Sequence, residues 1–147
     1  MKRILIINGP NLNLLGNREA VFYGDTTLEK IQYLCEEKCK NNAIECTFYQ
    51  SNHEGELIEK IHSVNNDFDG IIINPAAYTH TSIALLDALR AINKPKIEIH
   101  ISNIYAREEF RRKSITSEAV NGVICGFGEN GYILAIDAIQ NLIYNKV

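Results

Sequence analysis

The chain has 147 residues, one domain's worth, with 46% apolar and 22% charged side chains and a formal net charge of -3. Without a basic face or tail it offers nothing to a nucleic acid. Its apolar runs are too short to span a bilayer, and no signal-like segment opens it, so the expectation is a cytoplasmic protein whose Cys35, Cys39, Cys46 and Cys125 stay reduced.

In chain order, the continuous apolar run "RILIIN" (3–8) reads as a strand buried on both faces. It empties into "GPNLNLLGNREAVFYG" (9–24), rich in asparagine and glycine, which reads as a long loop. The segment 26–42 is helical, with Leu28, Ile31, Leu34, Cys35 and Cys39 on one face and a capping box expected from Thr26 and Glu29. "AIECTFYQ" (43–50) alternates as a strand. Residues 54–66 read as a helix with Leu57, Ile58, Ile61 and Val64 inward and His62 outward. "DGIIINP" (69–75) is a second buried strand, stopped by Pro75. Residues 81–92 form a helix, 96–102 a strand, 107–112 a short helical turn, 119–126 the last strand and 131–145 the last helix.

Five strands alternating with helices predict a single α/β domain over 1–147. It is a three-layer, doubly wound parallel sheet of flavodoxin-like order. Ligands of such sheets bind beyond the carboxyl ends of the strands. The residues found there are Asn11, Arg18 and Tyr23; Ser51, Asn52, His53 and Glu54; Asn74, Tyr78 and His80; Glu98, His100, Ser102, Arg107 and Arg111; and Gly126 and Gly128.

Familiar cofactor motifs do not account for this edge. The first loop lacks the lysine and Ser/Thr of a phosphate-binding P-loop. "GFGENG" (126–131) has the spacing of a dinucleotide fingerprint, but the strand and acidic residue required about 20 positions later do not follow, so it reads as a tight turn with close helix packing. A receiver domain would end its third strand in aspartate, where this chain has Asn74. Cys35 and Cys39 read as core thiols, the histidines form no spaced metal set, and Lys96 begins its strand at the wrong end for imine chemistry. What remains suits a small, polar, anionic ligand: arginines and backbone N–H groups for a carboxylate, asparagines and histidines for hydroxyls. On these residues alone, an enzyme and a binding module carrying a flavin or nucleotide both stay open.

"NGPNLNLLGNRE" followed by "YG", "SNHEGELIEKIH", "NPAAYTHTSIALLDAL" and "EIHISNIYAREEFRRKS" strongly resemble the type II 3-dehydroquinate dehydratases, in order and with matching spacing. The resemblance implies a lyase without cofactor or metal. Its reaction is anti elimination of water from 3-dehydroquinate, through an enolate, giving 3-dehydroshikimate in the shikimate route to aromatic amino acids. By the same resemblance, residues 16–24 are a lid hinged at Gly16 and Gly24. Tyr23 is the base, Asn11 steadies the enolate with a water, and His100 is the proton donor, oriented by Glu98. Arg18 stabilises the transition state and makes the tyrosine a usable base, since free tyrosine titrates near ~10 and an adjacent arginine can lower that by roughly 1–3 units. Asn74, His80 and Arg111 bind substrate hydroxyls, the backbone at Ile101 and Ser102 takes the carboxylate, and Asp87 reaches a neighbouring subunit's site in a homododecamer of four trimers. Ala20 and Tyr105 stand where the family often has proline and histidine.

Overall fold

The computed structural model describes residues 1–17 and 20–145. Its sheet has five parallel strands in the order β2-β1-β3-β4-β5: β1 (Lys2–Asn8), β2 (Ile44–Gln50), β3 (Gly70–Asn74), β4 (Lys96–His100) and β5 (Gly122–Cys125). The helices are α1 (Ala20–Tyr23), α2 (Leu28–Asn41), α3 (Glu54–His62), α4 (Val64–Asp67), α5 (Ile83–Arg90) and α6 (Asn130–Asn145). The strand order is the doubly wound one expected from the alternation.

Alternation along the strands builds two cores. Ile4, Ile6, Ile72, Ile97 and Ile99 face one side and meet Ile31, Cys35 and Cys39 of α2 and Tyr132, Ala135, Ile136 and Ile139 of α6. Leu5, Ile7, Ile71 and Ile73 face the other and meet Leu57 and Ile61 of α3, Val64 of α4 and Leu85, Ala88 and Leu89 of α5. Strands buried on both faces have no polar side, which is why they read as unbroken apolar runs.

Several boundaries differ from the sequence reading. The cap of α2 is Thr27, whose hydroxyl accepts from Lys30 N–H at 3.2 Å; Thr26 and Glu29 form no box, and Thr26 Oγ1 instead donates to Glu129 Oε2 at 2.5 Å. The predicted helix 54–66 divides at Ser63, whose hydroxyl bonds back to Lys60 O at 2.6 Å and competes with the helical ladder. Leu34 and Ile58 are half-buried rather than core. Residues 107–112 hold only the 3₁₀ turn Glu109–Arg111, and β5 spans four residues. "GFGENG" is the tight turn expected: Gly126 and Gly128 have φ of 95° and 60°, and a Cβ on Gly131 would lie 3.0 Å from Ile99 Cδ1.

Candidate active site

The carboxyl ends of β2, β1 and β3 lie level, with Asn8 opposite both Gln50 and Asn74. The chain leaving β1 passes hard against the chain leaving β3. Gly9 N–H donates to Asn74 O at 2.8 Å, and a Cβ on Gly9 would meet Pro75 O at 2.6 Å. Only glycine permits that approach. Two residues on, Asn11 has a left-handed φ of 69°, a conformation asparagine tolerates. Its N–H donates to Asn52 Oδ1 at 2.9 Å, and Gln50 Nε2 donates to the same oxygen at 3.1 Å. The exit of β2 thus fixes the backbone that carries the Asn11 side chain.

Asn74 is buried at the end of β3. Its Nδ2 donates to Tyr132 Oη at 2.9 Å and its Oδ1 accepts from Ala76 N–H at 3.1 Å, while Tyr132 Oη donates to Asn8 Oδ1 at 2.7 Å. The amide therefore sits in one orientation, with one N–H and one lone pair left over for the cleft.

On β4, Ile97 and Ile99 occupy the face towards α6, so Glu98 and His100 share the opposite face. Glu98 is fully buried and His100 is 5% exposed. Their contact, His100 Nε2 to Glu98 Oε2, is 2.6 Å. Glu98 Oε2 also accepts from Thr79 at 2.7 Å, and Oε1 from Thr116 at 2.6 Å. Burial pushes the Glu98 carboxyl up, but the bonds from His100, Thr116 and Thr79 outweigh it and hold the group below the ordinary carboxylate value of 4.5. His80 Nδ1 donates to Lys113 O at 2.7 Å, which leaves Nε2 as the ring nitrogen for a ligand.

Tyr23 ends α1, just before Gly24 with its φ of 72°. Arg107, arriving from beyond β4, donates from Nη1 to the Tyr23 phenol oxygen at 2.8 Å. Its guanidinium carbon stands 4.1 Å from the Phe22 ring centroid and 5.4 Å from that of Tyr23, and the side chain is only 6% exposed. The cation is thus held between the aromatic rings of α1 and the body of the domain. The chain after Tyr23 is tied down by Thr26 to Glu129, which Lys30 Nζ also meets at 3.2 Å.

One cleft gathers Asn11, Tyr23, Asn74, His80, His100, Ile101, Ser102 and Arg111, together with Arg107. Of the predicted site residues, Glu98 lies behind His100 rather than in the lining, and Asp87 is exposed on α5, away from this cleft. Arg18 lies outside the described residues. Arg107 falls at the sheet edge in the sequence, but its role is not readable there, because its partner Tyr23 is 84 positions away. The cleft encloses about 50 Å³, whereas a depression of about 730 Å³ lies alongside. Tyr23, Ile101, Ser102 and Arg107 line both, so the Tyr23–Arg107 contact stands on the boundary between them.

The family model described as "Dehydroquinase class II" matches residues 2–140. A 3-dehydroquinate dehydratase of Clostridium botulinum (strain 657 / Type Ba4) is 55% identical over 141 residues, 96% of either chain. That of Rhizobium meliloti (strain 1021) is 55% identical over 95% of this chain and 94% of its own. Among solved structures, the type II dehydroquinase from Butyrivibrio crossotus superposes with a TM-score of 0.93 at 51% identity, covering 95% of this chain and 97% of that one. With the model matching nearly end to end and relatives this similar over almost their whole length, the chain belongs to the class II dehydroquinase family.

Proposed function

We propose that this enzyme dehydrates 3-dehydroquinate to 3-dehydroshikimate, a step of the shikimate pathway, using side chains alone. Family membership supports the reaction. The observation that carries the mechanism is a cleft with a phenol held by a guanidinium on its lid side and an imidazole held by a buried carboxylate on its sheet side. An elimination through an enolate needs a base for the proton beside the ketone and an acid for the departing hydroxyl. Tyr23 and His100 are the two groups suited to those tasks.

Tyr23 takes the proton as phenolate, and Arg107 is placed to hold the charge that its oxygen carries until the proton arrives; Arg18, on the same lid, adds to this as transition-state stabiliser. Asn11, on a backbone fixed by Asn52, steadies the enolate through a water. His100, backed by Glu98, gives its proton to the leaving hydroxyl, so that water departs opposite the proton removed. Asn74, His80 through Nε2, and Arg111 bind hydroxyls, and the backbone of Ile101 and Ser102 receives the carboxylate. An enclosure of about 50 Å³ is far below the roughly 300–1,000 Å³ of ordinary small-molecule sites. Substrate therefore enters by parting Tyr23 from Arg107 and opening the cleft into the adjoining depression, which is the motion expected of a lid hinged at Gly16 and Gly24.

Asp87 completes the site of a neighbouring subunit in a dodecamer of four trimers. Its exposure on α5, on the same helical side as exposed Ile83 four residues earlier, supports a role outside its own cleft. Purified enzyme given 3-dehydroquinate should generate the conjugated enone of the product. Tyr23→Phe should lower turnover by about 10²–10⁴-fold while substrate still binds; turnover within a fewfold of wild type would refute the base assignment.

A further inference from the structure

Three hydroxyl groups crowd the Glu98 carboxylate. Thr79 and Thr116 are fully buried and Ser114 half-buried. Thr79 Oγ1 lies 2.7 Å from Glu98 Oε2, 2.6 Å from Ser114 Oγ and 2.8 Å from Thr116 Oγ1. Thr116 Oγ1 lies 2.6 Å from Glu98 Oε1, and Ser114 Oγ is 3.2 Å from Oε2.

Each hydroxyl owns a single proton, so with Thr79 donating to Oε2 and Thr116 to Oε1 their mutual 2.8 Å contact carries no hydrogen bond. Thr116 is the donor to Oε1, so its proton goes there. Thr79 donates to Oε2, so its 2.6 Å contact with Ser114 requires Ser114 to be the donor. Ser114 Oγ in turn accepts from Ser117 N–H at 3.1 Å. The chain runs one way, from Ser117 N–H through Ser114 and Thr79 to the carboxylate, with Thr116 closing the other oxygen. Two bonds hold the contributing segments together: backbone Ile115 N–H to Thr79 O at 2.8 Å, and the His80 side chain from Nδ1 to Lys113 O at 2.7 Å.

We propose that Thr79 and Thr116, fed by Ser114, are positioning residues for His100. They fix Glu98 as a pure acceptor on His100 Nε2 and leave Nδ1 as the nitrogen that gives its proton to the leaving hydroxyl. This rests on the reading of His100 as the proton donor. The physical reason is basicity. A carboxylate saturated by hydroxyl donors is a weaker base, so the Nε2 proton stays on the imidazole and Glu98 keeps the negative charge that supports Nδ1–H as the proton donor. Stripped of those donors, Glu98 would draw the proton to itself and leave a neutral imidazole, a far poorer donor. The hydroxyls also prevent the carboxylate from turning away, since both of its oxygens are anchored.

Thr116→Val keeps the shape and removes the hydroxyl, whereas Thr116→Ser keeps the hydroxyl and removes the methyl group. For the whole enzyme, kcat of Thr116→Val should fall roughly 10–100-fold, the size of a lost hydrogen bond to a charged group, with KM within about threefold. Thr116→Ser should recover most of the loss. Nitrogen NMR of His100 should show the Nε2 proton drawn towards Glu98 in Thr116→Val but not in Thr116→Ser. Valine performing as well as or better than serine would mean that the site needs only packing, and would overturn the proposal. If Thr116→Val does not fold by circular dichroism, Ser114→Ala carries the test: it should keep the wild-type melting temperature and lose turnover severalfold, and unchanged turnover would overturn the relay. His100→Ala run in parallel separates the two levels. Near-normal turnover there would remove the proton-donor reading itself, whereas a large loss there with wild-type Thr116→Val would remove only the positioning role.

Discussion

Replacing Arg107 should damage turnover through Tyr23 and through little else. Its Nη1 is 2.8 Å from the phenol oxygen, which puts the centre of the guanidinium charge about 4 Å from the charge a phenolate would carry. At that range the gross attraction is about 4 kcal/mol for an effective dielectric near 20. Part of it is offset by desolvation of the cation, so the net effect is close to that of a hydrogen bond between charged groups, about 1.5–3 kcal/mol. At roughly 1.4 kcal/mol per tenfold, Arg107→Ala should lower kcat about 10–100-fold. Arg107→Lys should recover only part of this, because a lysine lacks the planar fork and stacks poorly on the Phe22 ring that lies 4.1 Å away. The assay is steady-state appearance of enone absorbance for the single variants and for Arg107→Ala combined with Tyr23→Phe. Without the phenol oxygen, removing Arg107 should cost little more, so the two losses should be strongly non-additive. Losses that multiply, or an Arg107→Ala enzyme within threefold of wild type, would refute the coupling. An unaffected Arg107→Ala alongside a crippled Arg18→Ala would move the role to the other arginine.

Glu98 should make the protein acid-sensitive. Its folded-state carboxyl titrates below 4.5, so its stabilising contribution is complete above that pH and is lost as pH falls through the lower folded value. The melting-temperature gap between wild type and Glu98→Gln should therefore be constant near neutrality and narrow below about pH 4.5; a gap unchanged down to the acid limit of folding would contradict this. Gly9→Ala should destabilise by about 1–3 kcal/mol in chemical denaturation and depress turnover, because a Cβ there meets Pro75 O at 2.6 Å and pushes apart the loops bearing Asn11 and Asn74. Wild-type stability would show that those loops yield freely. If Asp87 serves a neighbour, Asp87→Ala and Tyr23→Phe enzymes, each impaired, should regain activity when dissociated and reassembled together; no recovery in verified mixed oligomers would refute a shared site. Borohydride added with substrate should leave activity intact, and inactivation with mass added to a lysine would point to an imine.

The inner part of the sheet was legible because β1 and β3 are buried on both faces and so carry the unbroken apolar runs "RILIIN" and "DGIIIN", and the edge strand β2 because its residues alternate. The Glu98–His100 pair was legible too, since residues two apart on a strand share a face. Contacts between distant segments were not. Arg107 meets Tyr23 across 84 positions, and Thr79, Ser114 and Thr116 reach Glu98 from 19, 16 and 18 positions away, with no periodicity to announce them. The cap of α2 was misassigned by one residue for a related reason. Adjacent threonines offer two equivalent hydroxyls, and the choice is made by Glu129, 103 positions on, which takes Thr26 and leaves Thr27 to the helix. The break at Ser63 was hidden because the apolar spacing of Ile61 and Val64 continues through it.

The most direct test of the whole account follows the conjugated enone that forms when water leaves 3-dehydroquinate, with no metal or cofactor added, for wild type, Tyr23→Phe and His100→Ala. The account predicts a rapid rise in absorbance for wild type and a rise slowed by at least about 10²-fold for either variant. A flat trace for folded wild-type enzyme, or equal slopes for all three, would contradict it.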